Sequence, residues 1–353
     1  MDKDLKFIQD IVEDVEGASL GHEEQINGYL DSGSYALNEV ISGEFFKGYP
    51  LGRVVELYGD PSTGKSLCIY SAIIEFQKTG GVVILDDTEY AFSEVFGKLL
   101  GINCDALIVL HSETVEEHFE KIFLGYFEEA EKDEEEDNSD TASLATKKKK
   151  KKRKEPLLAR LLPRFGKGKI MVCLDSVALL STRHEQEVKL EKPDMVKAKK
   201  LRAGIRLINK SLARNDILYL LSNHTISTMD AYNPKTTPGG KAIPFQCAVR
   251  VELDVGKKLF DSKDQPTGVL SRAFCAKNKV AVPFKRTVIH VEFNKGLNRL
   301  HGFLDALVSK GIVQLGGAWY TYKEEKFQSK TFPEIAPKIL ADLQEKVIPE
   351  NKA

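Results

Sequence analysis

This chain lacks any apolar run long enough to span a bilayer, and its opening stretch, Met1 to Gly17, alternates charge with apolar residues. The expectation is a protein without a secretory leader or membrane anchor, working in the cytoplasm. Metal-binding patterns are missing too. The five cysteines, Cys68, Cys104, Cys173, Cys247 and Cys275, show no metal-site spacing, and the seven histidines form no HxxxH or HExxH pair. Reduced thiols are the default, and no metal other than magnesium has support. Net charge is also nearly absent: 51 basic residues face 52 acidic ones. Total charge therefore selects no partner, and only its distribution along the chain is informative.

What is present begins with YGDPSTGKSL, Tyr58 to Leu67. Gly59, Gly64, Lys65 and Ser66 satisfy G-x-x-x-x-G-K-[ST], with Asp60, Pro61, Ser62 and Thr63 filling the loop and Leu67 opening the next segment. The preceding RVVELY reads as a short strand, and Leu67 to Phe76 is apolar at helical spacing. Strand, glycine loop and helix are the context in which backbone N–H groups face phosphates. Lys65 then reaches the terminal phosphates and Ser66 holds magnesium. The cofactors expected from the motif are a nucleoside triphosphate and Mg2+.

The 353 residues, 42% of them apolar, leave room for one large or two ordinary domains. Leu5, Ile8, Val12 and Val15 recur at helical spacing, so residues 1–30 read as a helix and linker whose apolar face docks either on its own domain or, as an oligomerisation element, on a neighbouring subunit. Residues 31–295 alternate strands and helices. GGVVILDD, KIMVCLDS and DILYLLSN read as buried parallel strands ending in polar residues, where ligands gather in open α/β sheets. QCAVRVELDV, VLSRAFCAKNK and RTVIHVEFN read as antiparallel strands extending the sheet. Residues 296–353 read as a small C-terminal α/β domain around GAWYTY. The fold class expected is α/β: a phosphate-loop ATPase core whose mainly parallel sheet is flanked by helices, with an antiparallel extension.

A charged insertion, residues 128–155, interrupts the core. Its first block holds nine acidic residues and its last eight basic ones, with almost nothing to bury. Disorder is the expectation, as a self-neutralising polyampholyte. The lysine run also has the composition of a nuclear import signal or a DNA-binding patch, which the acidic arm would contest.

Two carboxylates suit the chemistry of the loop. Asp175 ends an apolar strand, where a second oxygen ligand steadies magnesium; Glu89 follows the strand next in sequence to the loop and can polarise an attacking water. Asp86, Asp87 and Thr88 beside it also suit a helix cap.

The order and wording of these segments resemble the RecA-type recombinases. GRVVELYGDPSTGKS resembles their nucleotide loop, LDDTEYAF the segment of their catalytic glutamate, and CLDSVALL their magnesium strand. KNKVAVPFKR resembles their trans-acting lysine segment, and GAWYTY a landmark of their C-terminal domain. The likeness runs from about Ser32 to Tyr322. SNHTIST and DMVKAKKLRAGIRL resemble the bacteriophage UvsX-type branch, since bacterial members carry glutamine where His224 stands. The resemblance implies that Glu89 activates water, Phe96 stacks on adenine and His224 senses the γ-phosphate. It also implies that Lys277 and Lys279 reach the ATP of the adjacent protomer, which would tie hydrolysis to filament assembly.

DNA contacts are expected in two places. Arg183 to Asp194 is polar and aperiodic, the first candidate DNA loop. The helix after it sets Leu201, Ile205, Ile208 and Leu212 on one face, and Lys199, Arg202, Arg206 and Lys210 on another. Arg183, Met195, Lys199, Lys200 and Arg202 are the candidate contacts there. The second loop, Thr225 to Ala242, offers Lys235, Thr236, Thr237 and Lys241 as phosphate donors, with Gly239 and Gly240 permitting close approach. Pro238 and Pro244 depart from the family pattern in this loop.

The function expected is an ATP-dependent recombinase that forms filaments on single-stranded DNA and pairs it with homologous duplex. Double-stranded DNA, further copies of the chain, a single-strand-binding protein and a loader are the implied partners. Two other readings share the motifs: a hexameric helicase of the same superfamily, and a non-catalytic recombination mediator that binds ATP and DNA.

Overall fold

A computed structural model describes residues 2–15, 20, 26–129, 151–188, 196–227 and 235–347. Nine strands form its main sheet. In chain order these are β1 (Val54–Gly59), β2 (Val82–Asp87), β3 (Leu107–Leu110), β4 (Ile170–Asp175) and β5 (Leu218–His224), followed by β6 (Val249–Phe260), β7 (Pro266–Asn278), β8 (Arg286–Glu292) and β9 (Gly296–Leu297). Their spatial order is β9-β8-β7-β6-β1-β5-β4-β2-β3.

The first five strands pair in parallel, and β1, β2, β4 and β5 are buried along almost their whole length, so they carry apolar runs rather than alternation, while the edge strand β3 is only partly buried. One face of the sheet packs on helix Lys65–Lys78, with Ile69, Ile73 and Phe76 against Val55, Leu57, Val83 and Leu85. The opposite face packs on helices Val115–Phe119 and Val196–Arg214, with Phe119, Ile205 and Leu212 against Ile84, Val172 and Tyr219. β7 and β8 alternate and run antiparallel, as the sequence pattern leads one to expect. β6 corrects that expectation in part: it pairs antiparallel with β7 but parallel with β1. It is the hinge strand between the two halves of the sheet.

A third cluster lies beyond the sheet. Phe303, Leu307, Tyr322, Phe327 and Phe332 pack together, joined by Phe45 from the segment after helix Tyr35–Ser42. The small antiparallel sheet of Gln314–Gly316, Trp319–Tyr322 and Glu325–Phe327 supplies part of it. At the other end of the chain, helix Asp2–Asp14 exposes Leu5, Phe7, Ile8 and Ile11. No helix among the described residues is long and apolar enough to cross a membrane.

The charged insertion is not wholly irregular, which corrects the expectation for its ends. Tyr126–Glu129 pairs antiparallel with Lys151–Lys154, setting Glu128 opposite Lys152 and Glu129 opposite Lys151. Residues 130–150 lie outside the described residues.

Candidate nucleotide and nucleic-acid site

Because β1, β5, β4 and β2 are adjacent and parallel, their C-terminal ends open on one edge of the sheet. Every chemical group singled out near the phosphate loop arrives there. The loop between β1 and helix Lys65–Lys78 can form only with glycine at its ends. A Cβ on Gly59 would lie 2.0 Å from the Leu253 carbonyl oxygen, and Gly64 has φ +90° with Val291 Cγ2 only 2.8 Å from a built Cβ. Both positions therefore exclude side chains, and the loop's N–H groups stay open to an anion.

Lys65 is buried, and its Nζ donates to the carbonyls of Gly59 (3.0 Å) and Asp60 (2.9 Å). Burial lowers its pKa, against the raising influence of Asp175, Glu89 and Asp60. Asp175 is buried at the end of β4 and accepts a hydrogen bond from Ser222 Oγ on β5. Burial raises its pKa, opposed by hydrogen bonds from Ser222 and Ser66. A hydroxyl and a carboxylate in contact form an all-oxygen donor set, which fits a hard divalent cation beside phosphates. ATP with magnesium is thus compatible with Gly59 to Leu67, Ser66 and Asp175.

Glu89 lies beyond β2, on a segment tied to the end of β4. Thr88 Oγ1 donates to the Ser176 carbonyl (2.7 Å) and accepts from the Ser176 amide (2.8 Å), while the Thr88 amide donates to the Asp175 carbonyl (2.8 Å). Glu89 Oε1 then meets His224 Nε2 at 2.8 Å. Burial alone would raise the Glu89 pKa, but the His224 hydrogen bond and the Lys65 charge help bring it below the ordinary value. The carboxylate stays ionised, as a water-activating base must. Phe96 is half-buried on the core, its ring edge-on to Tyr70 at 6.3 Å.

Of the two lysines expected to act in trans, Lys277 Nζ donates to the carbonyls of Pro244 (2.6 Å) and Phe245 (3.0 Å), and Lys279 is exposed. Both stand at the end of β7, at the opposite edge of the sheet from the phosphate loop: the β7 residue Lys277 is level with Arg250, near the start of β6. Within one chain they are not part of the nucleotide site.

The candidate DNA contacts fare unevenly. Helix Val196–Arg214 buries Leu201, Ile205, Ile208 and Leu212 and exposes Lys199, Lys200, Arg202, Arg206 and Lys210, as its periodicity indicates. Arg183 corrects the loop expectation. Arg183–Val188 is a helix, and the Arg183 guanidinium grips Glu120 through two bonds of 2.9 and 2.5 Å. Lys200 is 3.2 Å from Glu116. Met195 lies outside the described residues. In the second loop Ile226–Ser227 pairs with Lys235–Thr236, and residues 228–234 lie outside the described residues. Thr237 is a second correction: it is buried, so it cannot serve as an exposed phosphate donor, whereas Lys235, Thr236 and Lys241 are exposed. Gly239 has φ +87°, and a Cβ there would touch Leu201 Cδ1 at 2.8 Å. The loop therefore rests on the start of the basic helix, bringing the two candidate DNA segments together.

Several participants have no motif to announce them. Asp60 of the phosphate loop binds loop two: its carboxylate accepts from Thr225 Oγ1 and from Lys235 Nζ at 2.5 Å. The Lys235 and Thr225 bonds lower the Asp60 pKa, and the Asp60 bond raises that of Lys235. Behind the site, Glu56 is fully buried and held by Arg250 and Asn223. A lone glutamate inside the apolar RVVELY is the one signal of it in the sequence.

The family model described as "RecA N-terminal domain" matches residues 7–123 and 161–298, leaving out the charged insertion. The chain belongs to the RecA family. Protein RecA of Thioalkalivibrio sulfidiphilus is 29% identical over 337 residues, covering 92% of this chain and 86% of that relative. Protein RecA of Nocardioides sp. is 28% identical over 327 residues, covering 90% and 81%. At the level of the family, membership carries a role in DNA recombination and repair, DNA-dependent ATP hydrolysis and binding to DNA.

Proposed function

We propose that this chain is an ATP-dependent recombinase that assembles on single-stranded DNA as a helical filament and exchanges the bound strand with a homologous duplex. The UvsX-type branch is the part of the family we favour, on account of His224. The observation that carries the proposal is the meeting of Lys65, Asp175, Glu89 and His224 on one sheet edge, with loop two tied to the same edge through Asp60.

ATP with magnesium supplies, when bound, a γ-phosphoryl group whose transfer to water drives the cycle. The protein's part is positioning and charge. Lys65 exchanges the Gly59 and Asp60 carbonyls for phosphate oxygens, and Ser66 and Asp175 offer oxygen ligands to the cation. Glu89 takes the proton of the attacking water at its free carboxylate oxygen. His224, bonded to Glu89, exchanges that partner for the γ-phosphate and so reports its presence to loop two. Lys199, Arg202, Lys235 and Lys241 hold the strand through its backbone, which makes binding tolerant of sequence and sensitive to salt. Lys277 and Lys279 stabilise negative charge at the site of a neighbouring copy, and the apolar face of helix Asp2–Asp14 docks on that neighbour. The chain works in the cytoplasm, with a single-strand-binding protein and a loader as accessory partners.

The test is ATP hydrolysis with and without oligo-dT, together with electron microscopy on single-stranded DNA with a non-hydrolysable ATP analogue. Helical filaments and DNA-stimulated hydrolysis are expected. The variant Lys277→Ala/Lys279→Ala should lose about 10³-fold in stimulated rate, as removal of a trans-acting cation does, while still binding nucleotide. Rings on the DNA, or hydrolysis indifferent to DNA, overturn the proposal.

A further inference from the structure

Asn223 occupies a fully buried position one residue before His224, beside Tyr58 in the β1–β5 register. Its carboxamide is used on three sides. One N–H donates to Glu56 Oε1 (3.0 Å), the other to the carbonyl of Pro238 in loop two (3.2 Å), and Oδ1 accepts the backbone N–H of His224 (3.0 Å). An amide has two donors and one acceptor oxygen, so both of its hydrogens are committed.

The Glu56 end of this chain of bonds is rigid. Glu56 and Arg250 are register neighbours on β1 and β6; the Arg250 Nε donates to Glu56, and the guanidinium lies 4.3 Å from the Tyr58 ring centroid. A fully buried carboxylate is tolerable only when paired and hydrogen-bonded, and here the guanidinium and the Asn223 amide meet that need. The Pro238 end is different. Pro238 immediately precedes Gly239, whose positive φ turns the loop onto the basic helix. One side chain thus joins the strand leading into the phosphate loop, the backbone of the γ-phosphate-facing histidine, and the returning limb of loop two.

We propose that Asn223 is a positioning residue that suspends the returning limb of loop two from β5, so that a displacement of His224 reaches residues 235–243 through the Asn223 amide. The inference rests on the reading of this edge as a nucleotide site coupled to a DNA loop. It assigns the coupling to a buried amide, and not to the histidine side chain alone.

The test uses the full-length chain and two variants. Asn223→Asp removes both donors and sets two carboxylates together, a change that can prevent folding outright. Asn223→Asp/Glu56→Gln puts an amide back opposite the new carboxylate, restoring the buried bridge to β1 but leaving the Pro238 carbonyl without its donor. Amide hydrogen exchange of peptides spanning 235–243 is measured with and without a non-hydrolysable ATP analogue and magnesium. In wild type the analogue should slow exchange there about tenfold, the worth of a hydrogen bond of ordinary strength. In the double variant that slowing should vanish, while analogue affinity stays within about threefold and Tm within a few degrees of wild type. Slowing retained in the double variant overturns the proposal, as does a wild-type loop that ignores the analogue. Loss of loop protection together with analogue affinity and Tm also overturns it, because Asn223 would then be a brace and nothing more. Filament formation by wild type is scored separately. Its absence sinks the recombinase reading and leaves the exchange result to decide the role of Asn223.

Discussion

His224 Nε2 stands 2.8 Å from Glu89 Oε1, joining the end of β5 to the segment after β2 across the mouth of the phosphate loop. An imidazole and a carboxylate in direct contact cannot change state independently. Whatever draws the histidine away also frees the carboxylate.

Glu89→Gln should therefore lower ATP turnover by about 10² to 10⁴-fold, the range for loss of a general base, with little change in nucleotide affinity. Steady-state hydrolysis and nucleotide binding together check this. The Glu89 carboxyl is held below its ordinary value of 4.5. A depressed carboxylate keeps its charge as pH falls until its own lower pKa is reached, so the acid limb of kcat/KM should lie below 4.5. His224→Ala removes one of the influences that lower it, and should move that limb upward.

Asp60 holds Lys235 and Thr225 against the phosphate loop, and its negative charge offsets the Lys235 charge that a DNA phosphate would otherwise meet. Asp60→Asn should tighten nucleotide-free binding to oligo-dT by up to about fivefold, since an exposed pair is worth only about 0.2–1 kcal/mol. Fluorescence anisotropy over a salt series checks it, and the gain should fade as salt rises.

Lys199 and Arg202 are exposed on the helix where loop two rests. Lys199→Ala/Arg202→Ala should reduce the slope of log K against log salt by about 1.4 for single-stranded DNA, roughly 0.7 for each phosphate no longer neutralised. An unchanged slope would place the strand elsewhere.

A buried trio behind the Glu89 segment carries a stability prediction. His118 Nδ1 lies 2.6 Å from Asp86 Oδ2, and His118 Nε2 lies 2.8 Å from Tyr219 Oη, all three side chains being buried. Burial would raise the Asp86 pKa, but the His118 bond and charge, aided by Ser112, bring it below its ordinary 3.8. The stability this represents is present above 3.8 and is lost as pH falls through the lower folded value. His118→Phe leaves the carboxylate uncompensated and should cost about 3–5 kcal/mol. Chemical denaturation at neutral pH measures the cost, and the gap from wild type should narrow as pH falls, because burial then raises the Asp86 pKa and the carboxyl takes up a proton.

Much of the site can be read before any geometry, because its signals are local. The glycine spacing of residues 59–66 permits few alternatives, and the apolar runs that reach Asp87, Asp175 and Asn223 identify strand ends at a shared edge. The periodicity of Leu201, Ile205, Ile208 and Leu212 likewise orients the basic helix correctly. Thr237 and Arg183 mislead for one reason. A polar residue in a polar stretch looks available to a ligand until packing buries it or a distant carboxylate claims it, as Glu120 claims Arg183.

The amino-acid order by itself determined the phosphate loop, the buried strands and the face of the basic helix, since each depends on residues within a few positions of one another. Only the tertiary structure decided that β6 lies parallel to β1, that Glu56 meets both Arg250 and Asn223, and that Asp60 meets Lys235. Those contacts join segments far apart in the chain. Long-range strand register and the satisfaction of buried charge select them, and neither has a periodicity that a linear pattern can display.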